Sequence, residues 1–282
     1  MHVVCVGLAT LDTIFAVPRH PEPDGRVVAT DLAVAGGGPA ATAAATLARL
    51  GVETYFVGAV GDDGTGGKIR ASLELEGVDV SEVAVVPGTR SPQSTILVSG
   101  ADRSIVHFPG SVTPLELSAR ARELCDGAAW VHVDHVGFGR VRGLTRARLS
   151  VDGGNPIDEL DLSRVALYAP TQSALPDPQE ALDAGAELVV VTRGAEGSVA
   201  YRANGEVVEA PGISTDVVST LGAGDVFHGA LVAYLARGAE LRDALGKANL
   251  AAALSCRALD GRSAIPTLDE LERSAASPTA LL

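Results

Sequence analysis

Residues 36–51 read GGGPAATAAATLARLG. From near Gly38, the residues Ala40, Ala41, Ala43, Ala44, Ala45, Leu47, Ala48 and Leu50 predict a helix, and Gly51 stands where a C′ glycine ends it. Side chains this small let a helix lie close on a sheet. The triplet Gly36, Gly37 and Gly38 either lets backbone approach a ligand at the positive end of that helix or serves only the turn.

Outward from this helix the chain carries short apolar runs at 3–6, 55–60, 130–133, 149–151, 165–168 and 188–191. Several are separated by Ala/Leu-rich stretches at helical spacing, the pattern of parallel strands buried on both faces. The fold class is α/β, a central sheet covered on both sides. Residues 26–35 (RVVATDLAVA) and 94–108 (STILVSGADRSIVHF) alternate instead, and Gly100 to Asp102 would turn the second into a hairpin. They predict a small separate sheet lying over the main one. No internal repeat is present, and the final SAASPTALL reads as a poorly ordered tail.

Composition agrees with this layout. Of 282 residues, 46% are hydrophobic but only 4% aromatic, so the core is built from Ala, Val and Leu. A net charge of −13 excludes a sequence-independent nucleic-acid binder, which needs Lys and Arg to displace counterions. Cys5, Cys125 and Cys256 lack any C-x-x-C spacing and predict reduced, buried thiols in a cytoplasmic protein. The start, MHVVCVGLATLD, reads as a first strand rather than a leader, and no apolar run reaches the roughly 18 residues of a membrane helix.

A second glycine cluster lies in STLGAGDVFHG, residues 219–229. After it, Phe227, Ala230, Leu231, Tyr234 and Leu235 repeat at helical spacing until Gly238, which puts Asp225 in a first turn. The N–H groups of Gly222, Ala223 and Gly224 can converge on an anion there, where the helix dipole adds positive charge. A carboxylate on that turn can orient a hydroxyl toward a phosphoryl group held by those amides. Equally, an acidic residue at a helix start is worth roughly 0.3–1 kcal/mol through the dipole alone. The stretch is not a Walker A loop, since no Gly-Lys-Ser/Thr follows, and no G-x-G-x-x-G follows the first strand.

Taken together, GAGD within VVSTLGAGDVFHGAL (217–231), GGGPAATAAATLARLG (36–51), VGAVGDDGTG (57–66) and VVVTRGAEG (189–197) resemble the signatures of ribokinase-like (PfkB) sugar kinases. Their order and separation also match, and the resemblance covers nearly the whole chain. It implies a three-layer α/β/α sandwich in a single domain, with a small β-sheet lid contributed by about 13–35 and 90–110. It further implies transfer of the γ-phosphoryl of ATP, with Mg²⁺, to a hydroxyl of a furanose or ketohexose. By the same resemblance Asp225 is the base and the amides of Gly222, Ala223 and Gly224 form the anion hole. Asp12, ending the first strand, binds sugar hydroxyls, and Gly36, Gly37 and Gly38 line the sugar pocket. Thr192, Gly194 and Gly197 take the nucleotide, with His228 and Asn249 near adenine.

The chain departs from that pattern at three places. Thr42 stands where the family carries an asparagine that bonds the sugar. Thr171-Gln-Ser-Ala174 replaces an Asn-x-x-Glu motif, which leaves metal placement open, and Ser219-Thr220 replaces Asp-Thr, which leaves a monovalent cation open. The runs GGGPAATAA and GAGDVFHGAL resemble a sulfofructose-kinase-like branch, whose sulfonate would need a cationic group such as Arg26 or His107. At 132–135 the sequence His-Val-Asp-His reads as a polar strand end or as part of a metal site. A nucleoside kinase and a non-catalytic sugar-binding regulator stand as alternatives, and an exposed lid edge suggests a homodimer.

Overall fold

The computed structural model describes residues 1–276 except 101, 114, 115 and 145. Of the tail expected at 274–282, residues 274–276 are helical instead, completing a turn of the last helix, and 277–282 lie outside the described residues. In chain order the strands are β1 (His2–Val6), β2 (Thr10–Ala16), β3 (Asp31–Gly37), β4 (Glu53–Gly61), β5 (Val83–Val86), β6 (Gln93–Ser99), β7 (Asp102–Phe108), β8 (Trp130–Val133), β9 (Leu149–Gly153), β10 (Val165–Pro170), β11 (Leu188–Thr192), β12 (Gly197–Arg202) and β13 (Val207–Pro211). The helices are α1 (Pro39–Arg49), α2 (Gly64–Leu75), α3 (Ala119–Asp126), α4 (Pro178–Asp183), α5 (Ala223–Ala236), α6 (Leu241–Ser255) and α7 (Leu268–Ala276).

Nine strands form one sheet in the order β13-β12-β11-β10-β9-β8-β1-β4-β5, parallel from β5 to β11 and antiparallel at β12 and β13. Because successive side chains in a strand point to opposite faces, β1 feeds two cores at once. Val3 and Cys5 pack with α1, α5 and α6, whereas Val4 and Val6 pack with Ala121 and Cys125 of α3. The result is a three-layer α/β/α sandwich. All three cysteines are free and buried, as their spacing predicted.

Two helices of the first layer meet unusually closely. Pro39 opens α1 where its missing N–H costs nothing, and Gly51, at φ 77°, ends it. Ala40, Ala41 and Ala43 to Ala45 are fully buried. A Cβ added at Gly229 of α5 would lie 2.6 Å from the Ala43 carbonyl oxygen and 2.8 Å from Thr46 Cβ, so the helices touch through Gly229 against backbone. This contact fixes the middle of α5 against the middle of α1.

The second sheet has the order β3-β2-β6-β7, with β2 parallel to β6 and the outer pairs antiparallel. Ile14, Ile96 and Val98 on its inner face pack with Leu259 and Leu221 of the larger body. The hairpin at 94–108 forms as expected, but two expectations are corrected. Residues 26–30 are not strand: β3 begins at Asp31 and runs through Gly36 and Gly37, so the glycines end a strand rather than only preceding a helix. Asp12 does not end the first strand, because the chain breaks at Gly7 to Ala9 and Asp12 lies within β2 of the small sheet. A Cβ at Gly7 would collide with the Asp134 carboxylate, which is why the break occurs at a glycine.

Candidate active site

Gly222, at φ 73°, turns the chain into α5, and a Cβ there would lie 3.0 Å from Gly261 Cα. Both conformation and space therefore call for glycine. The Ala223 N–H bonds the Thr220 carbonyl at 3.3 Å, while the N–H groups of Gly224 and Asp225 have no acceptor among the described residues. Asp225 lies in this first turn, where the dipole favours an anion. Burial, then the negative charges of Asp152 and Asp134, nevertheless push its carboxyl up to about 7, with His228 and Arg262 opposing. At neutral pH the group is poised to accept a proton.

Asp225 opens into a cavity of about 300 Å³ between the two sheets. The small sheet contributes Thr10, Asp12, Ile14, Ser94, Ile96 and His107 to its lining, and the larger body contributes Gly38, Thr42, His135, Asn155 and Gly222. The site lies at the carboxyl ends of β1, β8 and β9, the usual place for ligands in such sheets. Asp12 is 7% exposed and accepts a 2.7 Å bond from Thr10 Oγ1. Its carboxyl is raised by burial, against the hydroxyls of Thr10 and Ser94 and the charges of Arg262 and His107. A Cβ at Gly37 would strike Asp12 and Thr10 Oγ1, so that glycine makes room for the carboxylate.

Arg262, in the segment after α6, ties the two halves together from below. It is 4% exposed; its Nη2 donates to the Gly37 carbonyl at 2.9 Å and its Nε to Thr42 Oγ1 at 3.3 Å. Neighbouring Gly261 packs on Gly222, so one short segment braces both the cavity floor and the α5 turn. Burial lowers the Arg262 guanidinium to about 10, leaving it charged at neutral pH.

The structure brings together Asp12, Gly36, Gly37, Gly38, Thr42, His107, Gly222 and Asp225 around one cavity. It leaves Arg26 exposed in the segment before β3, outside the lining. Thr192, Gly194 and Gly197 end β11 and turn into β12, also outside this cavity. Asn249 is 7% exposed and donates from Nδ2 to the carbonyls of Ala210 and Pro211, both at 3.0 Å, bracing β13. His228, expected near a nucleotide base, is instead buried beneath Asp225, with its Nδ1 3.3 Å from Asp152 Oδ2. Asp134 accepts N–H bonds from Leu8, Ala40, Val136 and Gly137 at 2.8–3.2 Å, a strand-end brace for α1 and β1. Sequence reasoning missed Thr10, Ser94, Asn155 and Arg262. For Thr10 a signal existed, its place two residues before Asp12; Arg262 stands 220 residues from Thr42 and gave none.

The chain is similar to known proteins over nearly its whole length. The profile of the pfkB family carbohydrate kinases matches residues 1–140 and 159–268. The ribokinase of Bacillus subtilis (strain 168) is 28% identical over 291 residues, covering 96% of this chain and 99% of the other. An ATP-dependent ribose-1-phosphate kinase of Halopiger xanaduensis is 30% identical over 290 residues, covering 95% and 96%. Among solved structures, that of a candidate ribokinase from Agrobacterium tumefaciens superposes with a TM-score of 0.89 at 29% identity, covering 99% of this chain and 98% of that one.

Proposed function

The chain belongs to the pfkB family of carbohydrate kinases, and from that premise we propose that it transfers the γ-phosphoryl group of MgATP to a hydroxyl of a furanose or ketohexose. The observation that carries this reading is the placement of Asp225 on the floor of the cavity between the sheets, one residue after an amide free to receive an anion. The acceptor lies among Asp12, Gly36, Gly37, Gly38 and Thr42. Its hydroxyl oxygen forms a bond to the γ-phosphorus as the bridging P–O bond to ADP breaks, and the hydroxyl proton passes to Asp225. Phosphoryl transfer of this kind is largely dissociative and asks mainly for positioning and neutralisation of charge. Amides of the turn, with the α5 dipole behind them, stabilise the phosphoryl oxygens.

Thr192, Gly194 and Gly197, at the carboxyl end of β11, form the nucleotide side in this reading. Among the described residues no group of three or more His, Cys, Asp or Glu is placed to hold a metal. Mg²⁺ would come with the nucleotide and would supply charge neutralisation for the phosphates. The small sheet acts as the lid. Leu32, Val34, Ile105, Val106 and Phe108 are exposed on its outer strands, which supports a homodimer paired through the lid. Among the described residues no helix is long and apolar enough to cross a membrane, and buried free thiols suit a cytoplasmic protein.

The lining favours a neutral sugar over the alternatives. It holds no Phe, Tyr or Trp on which a nucleobase would stack. Its basic members are His107 and His135, weaker anchors for a sulfonate than arginine. ADP release from MgATP should be followed with D-ribose, D-fructose, sulfofructose, tagatose 6-phosphate and inosine. Saturable turnover with a neutral pentose or ketohexose is expected; turnover with inosine alone would replace the sugar reading.

A further inference from the structure

Beneath the Asp225 turn lies a buried polar cluster that the phosphoryl-transfer scheme leaves unused. His228 follows Asp225 by three residues on α5, so the two project from one helix face. His228 is 5% exposed and Asp152 4% exposed; Nδ1 and Oδ2 are 3.3 Å apart, within ion-pair distance but outside hydrogen-bond geometry, so charge rather than a shared hydrogen bond links them. Asp152 also accepts the Gly154 N–H at 2.8 Å. The ring of His132 on β8 lies 5.8 Å from that of His228; its Nδ1 meets Ser150 Oγ at 3.1 Å and its Nε2 has no partner among the described residues.

A carboxylate this deep keeps its charge only where a cation or several hydrogen bonds face it; Asp152 has one N–H and the His228 ring, and two adjacent buried imidazoles do not both carry charge. Geometry assigns the charge to His228, which has the carboxylate, and leaves His132 neutral. Burial, then the charge of His228, push His132 down to about 3. Burial opposes a proton on His228, yet Asp152 raises it, and His228 in turn holds Asp152 at about 2 against its own burial.

We propose that His228 and Asp152 form a standing ion pair that sets the proton affinity of the base above it, with His228 a positioning residue for Asp225. The charges acting on Asp225 are those of Asp134 just after β8, Asp152 from β9, His228 from its own helix and Arg262 from the segment after α6, while Asp12, His107 and His135 line the same cavity. The negative charges push its proton affinity up. The imidazolium of His228, nearest along the helix, keeps it within reach of neutral pH. This inference rests on Asp225 being the base of the proposed reaction.

The test is a titration of the intact chain carrying ¹³C-labelled histidine, followed by NMR from pH 5 to 9, with the His228 resonance assigned by its loss in His228→Gln or, should that variant not fold, His228→Asn. His228 should hold its imidazolium shift through pH 7 and show a small inflection near the Asp225 titration that vanishes in Asp225→Asn. A His228 resonance that is neutral at pH 7, or an inflection that survives in Asp225→Asn, would overturn the proposal. A second arm follows the pH dependence of kcat/KM with MgATP and the best acceptor of the panel above. His228→Gln leaves Asp152 unpaired and should move the acid limb up by about one pH unit or more. Asp152→Asn lets His228 lose its proton and should move it less. Wild-type turnover in Asp225→Asn removes the base assignment itself; a missing NMR inflection with Asp225→Asn inactive removes only the pair's role.

Discussion

Asp225 is placed under opposing demands: the α5 dipole favours its charge, while burial and two nearby carboxylates oppose it. A base must be deprotonated to act, so turnover should rise as pH passes through about 7 and level off above it, a limb readable from initial rates between pH 5.5 and 9. Asp225→Asn keeps shape and removes the base, and should lower kcat by about 10²–10⁴. Gly222→Ala should also lose most turnover, because φ 73° strains an alanine by about 1–3 kcal/mol and its methyl presses on Gly261. Circular dichroism separates that local loss from unfolding. Asp225 and Gly222 were legible in the sequence because a glycine turn, an acid and an apolar helix are adjacent there. The surroundings of His228 were not: its partners Asp152 and His132 come from strands far away in the chain, and only folding brings them under the same turn.

Contacts between elements hold the two halves of the site in register. Gly229 lets α5 lie against α1, so Gly229→Val should destabilise the fold by about 1–3 kcal/mol, seen as a lower midpoint in urea. Arg262 braces the end of β3 and the first turns of α1 with two different nitrogens. A lysine lacks that fork, so Arg262→Lys should raise the acceptor KM by about tenfold or more, with a smaller effect on the KM for MgATP. The central parallel strands were readable because strands covered on both faces become continuous apolar runs. Strands β5 and β13 were not, since they lie at the sheet's edges and expose part of their length, and β12 was not, because it opens on Gly197 and Ser198 and offers no continuous apolar run. β3 was read five residues early because Val27 and Val28 extend its apolar pattern into a segment that pairs with no strand.

At the scale of the molecule, the site's charges shape stability. Asp225 rises from 3.8 to about 7 on folding, so its stabilising effect is complete below about 4 and lost as pH rises through 7. His228 is also raised, and its contribution, complete below 6.5, disappears at still more alkaline pH. Asp152 runs the other way: held at about 2, it stabilises above 3.8 and ceases to as pH falls toward 2. Thermal stability should therefore peak on the acid side of neutral. At pH 8 Asp225→Asn should melt above the wild type, since it removes a partly buried anion that faces two other carboxylates, by about 2–4 °C for each kcal/mol recovered. Whole-chain architecture, a helix-covered parallel sheet beneath a smaller one, was legible from the sequence; the acceptor was not, because the cavity is assembled from both sheets. The most direct test of the account measures sugar-dependent ADP release from MgATP by wild type and Asp225→Asn side by side, with both proteins shown to be folded. The account predicts saturable release by the wild type and a loss of about 10²–10⁴ in the variant; equal rates from the two proteins, or no sugar-dependent release by the wild type, would contradict it.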